Sequence, residues 1–222
     1  MGTQSFVDSV VREIIQPGVQ GLMDSRYFLE LREGKLSTRR LRGWALQHYL
    51  HNVALCKGFA LCMAKHAHDP FLYDYFSKQL REEQPHPELA KQFGLALGLT
   101  EEDFDNAVPV YECLAHTSAV IRTMFLGSPE ENRASALVNE SMVLRYSGEF
   151  NNYLRKHYGL NDEALEFFTV HAVADKEHTV QAARVMERYA STPLKQCLAR
   201  ETAHHMVRFK LGKFDGIYKE YA

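Results

Sequence analysis

The segment Val170 to Val180, VHAVADKEHTV, carries His171, Asp175 and His178 at steps of four and three residues. At about 100° per residue, those steps put all three side chains on one face of a helix. Two imidazoles and a carboxylate are costly to bury unless a cation or a hydrogen-bond network satisfies them. Mixed nitrogen and oxygen donors of this kind suit iron, manganese or zinc. A solvated polar stripe is the competing reading of this segment taken alone.

Further donors lie elsewhere in the chain. In ALVNESMVL, Glu140 sits among Ala136, Leu137, Val143 and Leu144, so its side chain is expected against the core. A carboxylate there calls for a metal, or for a base such as Arg145. REEQPHPEL places Glu82 and Glu83 at a helix C-terminus, where the macrodipole disfavours anions, and His86 just past the break. Glu83, His86, Glu140, His171, Asp175 and His178 together supply carboxylates and imidazoles in equal number, a set that a helical bundle can gather around two metal ions. Three negative charges against two divalent ions leave a centre that accepts an anionic substrate, and open coordination positions make it catalytic.

Several helices must position these donors. Apolar residues recur at three- and four-residue steps almost throughout, with no run of alternating β-branched residues and no Asn-Gly hairpin signal, so the chain reads as all-α. Ser5 is expected to cap a first helix ending near Pro17. A short helix follows from Tyr27 to Arg32 and stops at Gly34. Ser37 opens a long helix through Trp44 and His48 to about His66, and Asp69-Pro70 opens the next, which breaks at Pro85 and Pro87 and resumes to about Gly98. Thr100 with Asp103 begins a short helix, Pro109 one that ends near Gly127, and Ser128-Pro129 one that reaches Tyr158-Gly159. Asn161 is expected to cap the helix holding His171 to His178, which runs to about Tyr189, and Ser191-Thr192-Pro193 to start the last. Without a Gly- or Ser-rich linker or a fixed repeat, the expectation is a single compact domain over residues 1–222 built from seven to nine helices.

Composition narrows the partners. Lys and Arg total 26 against 28 Asp and Glu, a formal net charge of -2, which argues against nucleic acid and anionic membranes and leaves a small-molecule substrate. Cys56, Cys62, Cys113 and Cys197 form no CxxC pair, so free thiols in the cytoplasm are expected. No stretch approaches the roughly 18 apolar residues of a membrane span. Trp44, Tyr49, Tyr111, Phe125, Tyr146 and Phe150 are candidates for a pocket or, more simply, for the core. His48 and His51 are read as core or surface residues.

Several stretches resemble the haem-oxygenase-like superfamily, in its di-iron oxidase and oxygenase branch. SRYFLELREGKLSTRRLRGWALQHYLHNV is similar to that group's early segment, EEQPHPELAKQFGLALGL to its Glu and His-Pro-Glu-Leu segment, Glu140 to its mid-chain ligand, HAVADKEH to its ligand helix, and RFKLGKFDGIYKEY to its closing helix. The resemblance implies a haem-oxygenase-like helical bundle holding two iron ions that cycle between Fe(II) and Fe(III), with O2 as co-substrate. Relatives carry out N-oxygenation, oxidative decarboxylation, desaturation or carbon–carbon cleavage, often on amino-acid or fatty-acid-like substrates, and one is linked to p-aminobenzoate formation from its own side chains. An external electron donor and a homodimer are further expectations. The alternatives are a cofactorless or thiaminase-like enzyme of the same fold, or a non-catalytic helical interaction protein. The helix around Glu140 has no cysteine for a thiaminase-like nucleophile, and no histidine precedes His48 to serve as a haem ligand.

Overall fold

The computed structural model describes residues 2–222, without the side chains of residues 173–176. Helix α1 (Thr3–Val10) passes through a π-helical segment (Val11–Ile15) into α2 (Gln16–Met23). The chain therefore does not stop at Pro17. The wide turn immediately before that residue moves aside the carbonyl its ring would otherwise meet, and the helix continues. Gly2, not Ser5, occupies the N-cap.

Then come α3 (Arg26–Arg32), α4 (Thr38–Lys65), α5 (Pro70–Glu83), α6 (His86–Ala96), α7 (Glu101–Asp105), α8 (Tyr111–Phe125), α9 (Pro129–Tyr158), α10 (Glu166–Tyr189) and α11 (Pro193–Glu220). No strand occurs among the described residues, and no described helix is long and apolar enough to cross a membrane. The interrupted first helix and the short α7 raise the number of α-helices among the described residues to eleven, above the seven to nine expected.

Most boundaries have the chemistry their sequence announces. The Ser37 hydroxyl accepts from the Arg40 amide, the Asp69 carboxylate from Leu72 and the Thr192 hydroxyl from Lys195. Thr100 with Asp103, and Ser128 with Glu131, form reciprocal capping boxes. Gly34, at φ 68°, turns the chain after α3 against the His157 ring. Two starts differ from expectation. Helix α8 begins at Tyr111 after an extended Val110, leaving Pro109 outside, and α10 begins at Glu166 because Asn161 caps a separate turn by accepting from the Ala164 amide.

The core is an aromatic cluster shared by five helices. Tyr27 and Phe28 of α3, Trp44 of α4, Tyr146 and Phe150 of α9, Phe167 and Phe168 of α10 and Phe214 of α11 are buried and in ring contact, with Phe150 stacked on Phe168 at 4.5 Å. Trp44, Tyr146 and Phe150 thus belong to the core, whereas Tyr111 and Phe125 are exposed. This cluster fixes how α9 and α10 face each other, and those two helices carry most of the candidate ligands.

Candidate metal centre

The proline break in REEQPHPEL folds back on itself. Pro85 is the N-cap of α6, so His86 stands at the first residue of α6, three residues after the last residue of α5. Glu83 and His86 are both buried there, and His86 Nδ1 donates to Glu83 Oε2 across 2.6 Å. Of the two neighbouring acids, Glu83 points inward. Glu82 remains partly exposed, with Oε2 3.3 Å from His178 Nε2.

Helix α9 presents Glu140 toward α10, its side chain 17% exposed and its Oε2 3.7 Å from His178 Nδ1. Arg145 does not neutralise it; that guanidinium pairs instead with Glu149, which also binds Arg32. One ligand atom each from Glu83, Glu140 and His178 lies within 4.8 Å of the others. Ligand atoms that close together could share one metal ion.

His171 completes the visible wall. Its Nδ1 donates to the Phe167 carbonyl at 2.7 Å, its ring lies 4.0 Å from Phe167 and 4.3 Å from His86, and burial followed by the neighbouring His86 pulls its pKa down to about 3. The neutral ring therefore keeps its proton on Nδ1 and leaves a lone pair on Nε2. An imidazole oriented by a backbone carbonyl in this way is the usual arrangement of a metal-bound histidine. Asp175, the remaining candidate, lies outside the described residues.

The donor chemistry fits iron. The carboxylates of Glu83 and Glu140 meet the His178 imidazole within 4.8 Å, and the His86 and His171 rings stand 4.3 Å apart beside Glu83. Glu83, Glu140 and His171 also line a cavity of about 40 Å³ that extends to His48, His51 and Lys210. Tyr153 does not join it but stacks on His157. The sequence reading missed the basic side of this cavity, although a signal was present. The buried stripe of α11 runs Ala199, Ala203, Met206, Lys210, Lys213, Ile217, so two of its core positions are lysines.

Comparison with known proteins agrees with this geometry. Residues 42–210 match the model of a family described as iron-containing redox enzymes. A protein of Nitrosomonas europaea named 4-aminobenzoate synthase is 28% identical, the match covering 100% of this chain and 94% of that protein. A protein of the same name from Chlamydia trachomatis is 25% identical over 75% of this chain and 74% of its own. Among solved structures, a domain with a heme oxygenase-like fold from Shewanella denitrificans superimposes with a TM-score of 0.83 at 16% identity, covering 93% of this chain and 90% of that one. A TenA homologue from Pseudomonas syringae gives 0.84 at 13% identity, covering 96% and 92%. At these identities the structural matches establish the haem-oxygenase-like fold alone.

Proposed function

Because the chain belongs to the iron-containing redox enzymes, and is a di-iron oxidoreductase that uses O2, we propose that it makes 4-aminobenzoate. The observation that carries this reading is the match to the Nitrosomonas 4-aminobenzoate synthase along the whole chain. We assign the two irons to Glu83, His86, Glu140, His171, Asp175 and His178. The cleft between the α5–α6 break, α9 and α10 supports that assignment, since the carboxylates of Glu83 and Glu140 and the imidazoles of His86, His171 and His178 meet there.

Iron in this position supplies O2 activation and one-electron steps that no side chain provides. The protein's own groups do the rest. The His171 ring is held by the Phe167 carbonyl, so its orientation costs nothing to establish when metal arrives. The His86 ring is fixed in the same way by Glu83, and the aromatic cluster beneath both keeps bulk water from the centre. A cavity of about 40 Å³ admits a molecule of two or three heavy atoms, such as O2, but no free aromatic ring. Electrons come from an external donor in this scheme. The expected homodimer would use the exposed face of α8, where Leu114, Phe125 and Leu126 stand in solvent.

The test is anaerobic loading with Fe(II), metal analysis, then O2 and a chemical reductant with mass spectrometry of the small-molecule fraction. About two irons per chain and release of 4-aminobenzoate are expected. Two bound irons and O2 consumption without 4-aminobenzoate would leave an oxidase and sink this product.

A further inference from the structure

Beside the metal donors lies a second buried polar group with the opposite character. His48 and His51 of α4, His116 of α8 and Lys210 and Lys213 of α11 are all at most 6% exposed. Lys213 Nζ donates to His48 Nδ1 across 3.0 Å, His51 Nδ1 sits 2.9 Å from the Thr117 hydroxyl, and His116 Nε2 donates to Asn139 Oδ1 at 2.9 Å. The rings form a chain, His48 to His51 at 5.8 Å and His51 to His116 at 5.0 Å.

One feature of this group needs a ligand to explain it. Lys213 is an ammonium with 1% exposure, and no carboxylate among the described residues pairs with it; its polar partner is an imidazole. Burying such a charge without an anion is expensive. Burial draws the Lys213 pKa down to about 8, which still leaves the group mostly charged at neutral pH.

The sign of the charge decides what the ligand is. Burial, followed by the charge of Lys213, holds the His48 and His51 rings neutral. Three neutral imidazoles could ligate a metal, but among the described residues their nitrogens do not come together as a donor group, and the Lys213 ammonium bonds to one of them. A cation is therefore disfavoured and an anion favoured. His48 accepts at Nδ1 from Lys213, so its remaining proton is on Nε2, which makes it a donor. His48, His51 and Lys210 line the same cavity of about 40 Å³ as Glu83, Glu140 and His171, a space of carboxylate size against the roughly 30 Å³ of one water.

We propose that Lys213, His48, His51 and Lys210 form a carboxylate-binding subsite that holds an organic acid beside the metal centre. Lys213 supplies the charge and fixes the His48 tautomer, and His48 supplies the hydrogen bond. The proposal rests on the oxidase reading for its place in catalysis, where the carboxylate is that of a small acid. Its binding chemistry does not depend on turnover.

Trp44 reports on the subsite directly, because it is the single tryptophan of the chain and stacks on His48 at 4.4 Å. The experiment is a fluorescence titration of metal-free full-length protein with formate and with benzoate at constant ionic strength in chloride. Formamide and benzamide serve as neutral controls, and Lys213→Met as the variant. A saturable change with an acid, absent with its amide and at least tenfold weaker in Lys213→Met, is expected. Binding of formate without benzoate is expected, because the cavity admits no free aromatic ring; saturable binding of benzoate overturns the assignment of the acid to this cavity. No saturable change with either acid, an equal response to the amides, or unchanged affinity in the variant overturns the proposal. Should Lys213→Met fail to fold, Lys213→Gln keeps a donor toward His48 while removing the charge. Iron binding and 4-aminobenzoate release are measured separately, so either reading can fail without the other.

Discussion

His178 shows how much one side chain carries, because it lies between Glu82 on one ring nitrogen and Glu140 on the other. His178→Ala is expected to lower bound iron from about two to one or fewer per chain, and O2 consumption at least tenfold, since even residues behind the ligands of metal sites change affinity by about 10–100-fold. Metal analysis with an oxygen electrode checks both. Lys213 gives a prediction of the opposite kind, on stability. Its folded pKa, about 8, lies below the ordinary lysine value of 10.5, so between those values the unfolded chain binds more protons and stability rises with pH. Denaturant unfolding at pH 8 and pH 10 is expected to show a gain on the order of 2 kcal/mol that Lys213→Met lacks. The helix of His171 and His178 stood out as a candidate because those histidines and Asp175 recur at steps of four and three residues. The lysines were not singled out, because a lysine in a charged, amphipathic helix reads as solvated until the apolar stripe around it is traced.

Helix ends were the most readable elements, since caps are local chemistry. Ser37, Asp69, Thr100, Ser128 and Thr192 all stand where their side chains predicted. Pro17 misled for an equally local reason, because a π-turn that absorbs a proline is set by packing on both sides of the helix and leaves no residue signal. Asp69 joins two elements, capping α5 and accepting from the Tyr189 hydroxyl at the end of α10 at 2.7 Å. Those hydrogen bonds, the one from Tyr189 first, hold its carboxyl below the ordinary range, so its contribution is present above that range and is lost as pH falls through the lowered value. Asp69→Ala is expected to cost about 1 kcal/mol in denaturant unfolding at pH 7, with the difference from wild type shrinking in acid. Glu149 ties α3 to α9 through Arg32 at 2.7 Å while also holding Arg145 at 2.7 Å. Removing it as Glu149→Ala leaves a partly buried guanidinium unpaired and should cost about 2 kcal/mol.

At the scale of the whole molecule, the all-α architecture followed from periodicity, while the exposed apolar face of α8 did not. Leu114 and Phe125 share one side of α8 as ordinary core residues would, and only the arrangement of the other helices leaves them in solvent. If that face joins two copies, Leu114→Glu with Phe125→Glu should halve the mass measured by light scattering while leaving the helical circular dichroism intact. The arrangement of the donors also has a consequence for the protein's lifetime. Glu83, Glu140 and His178 come from the end of α5, the middle of α9 and α10, so iron bound between them would link segments far apart along the chain. It would act as a removable cross-link, closing long loops in a chain that would otherwise have to be held together by packing alone. Iron starvation should therefore shorten the protein's survival against proteases as well as stop its chemistry, making the polypeptide's abundance a readout of the cell's iron supply.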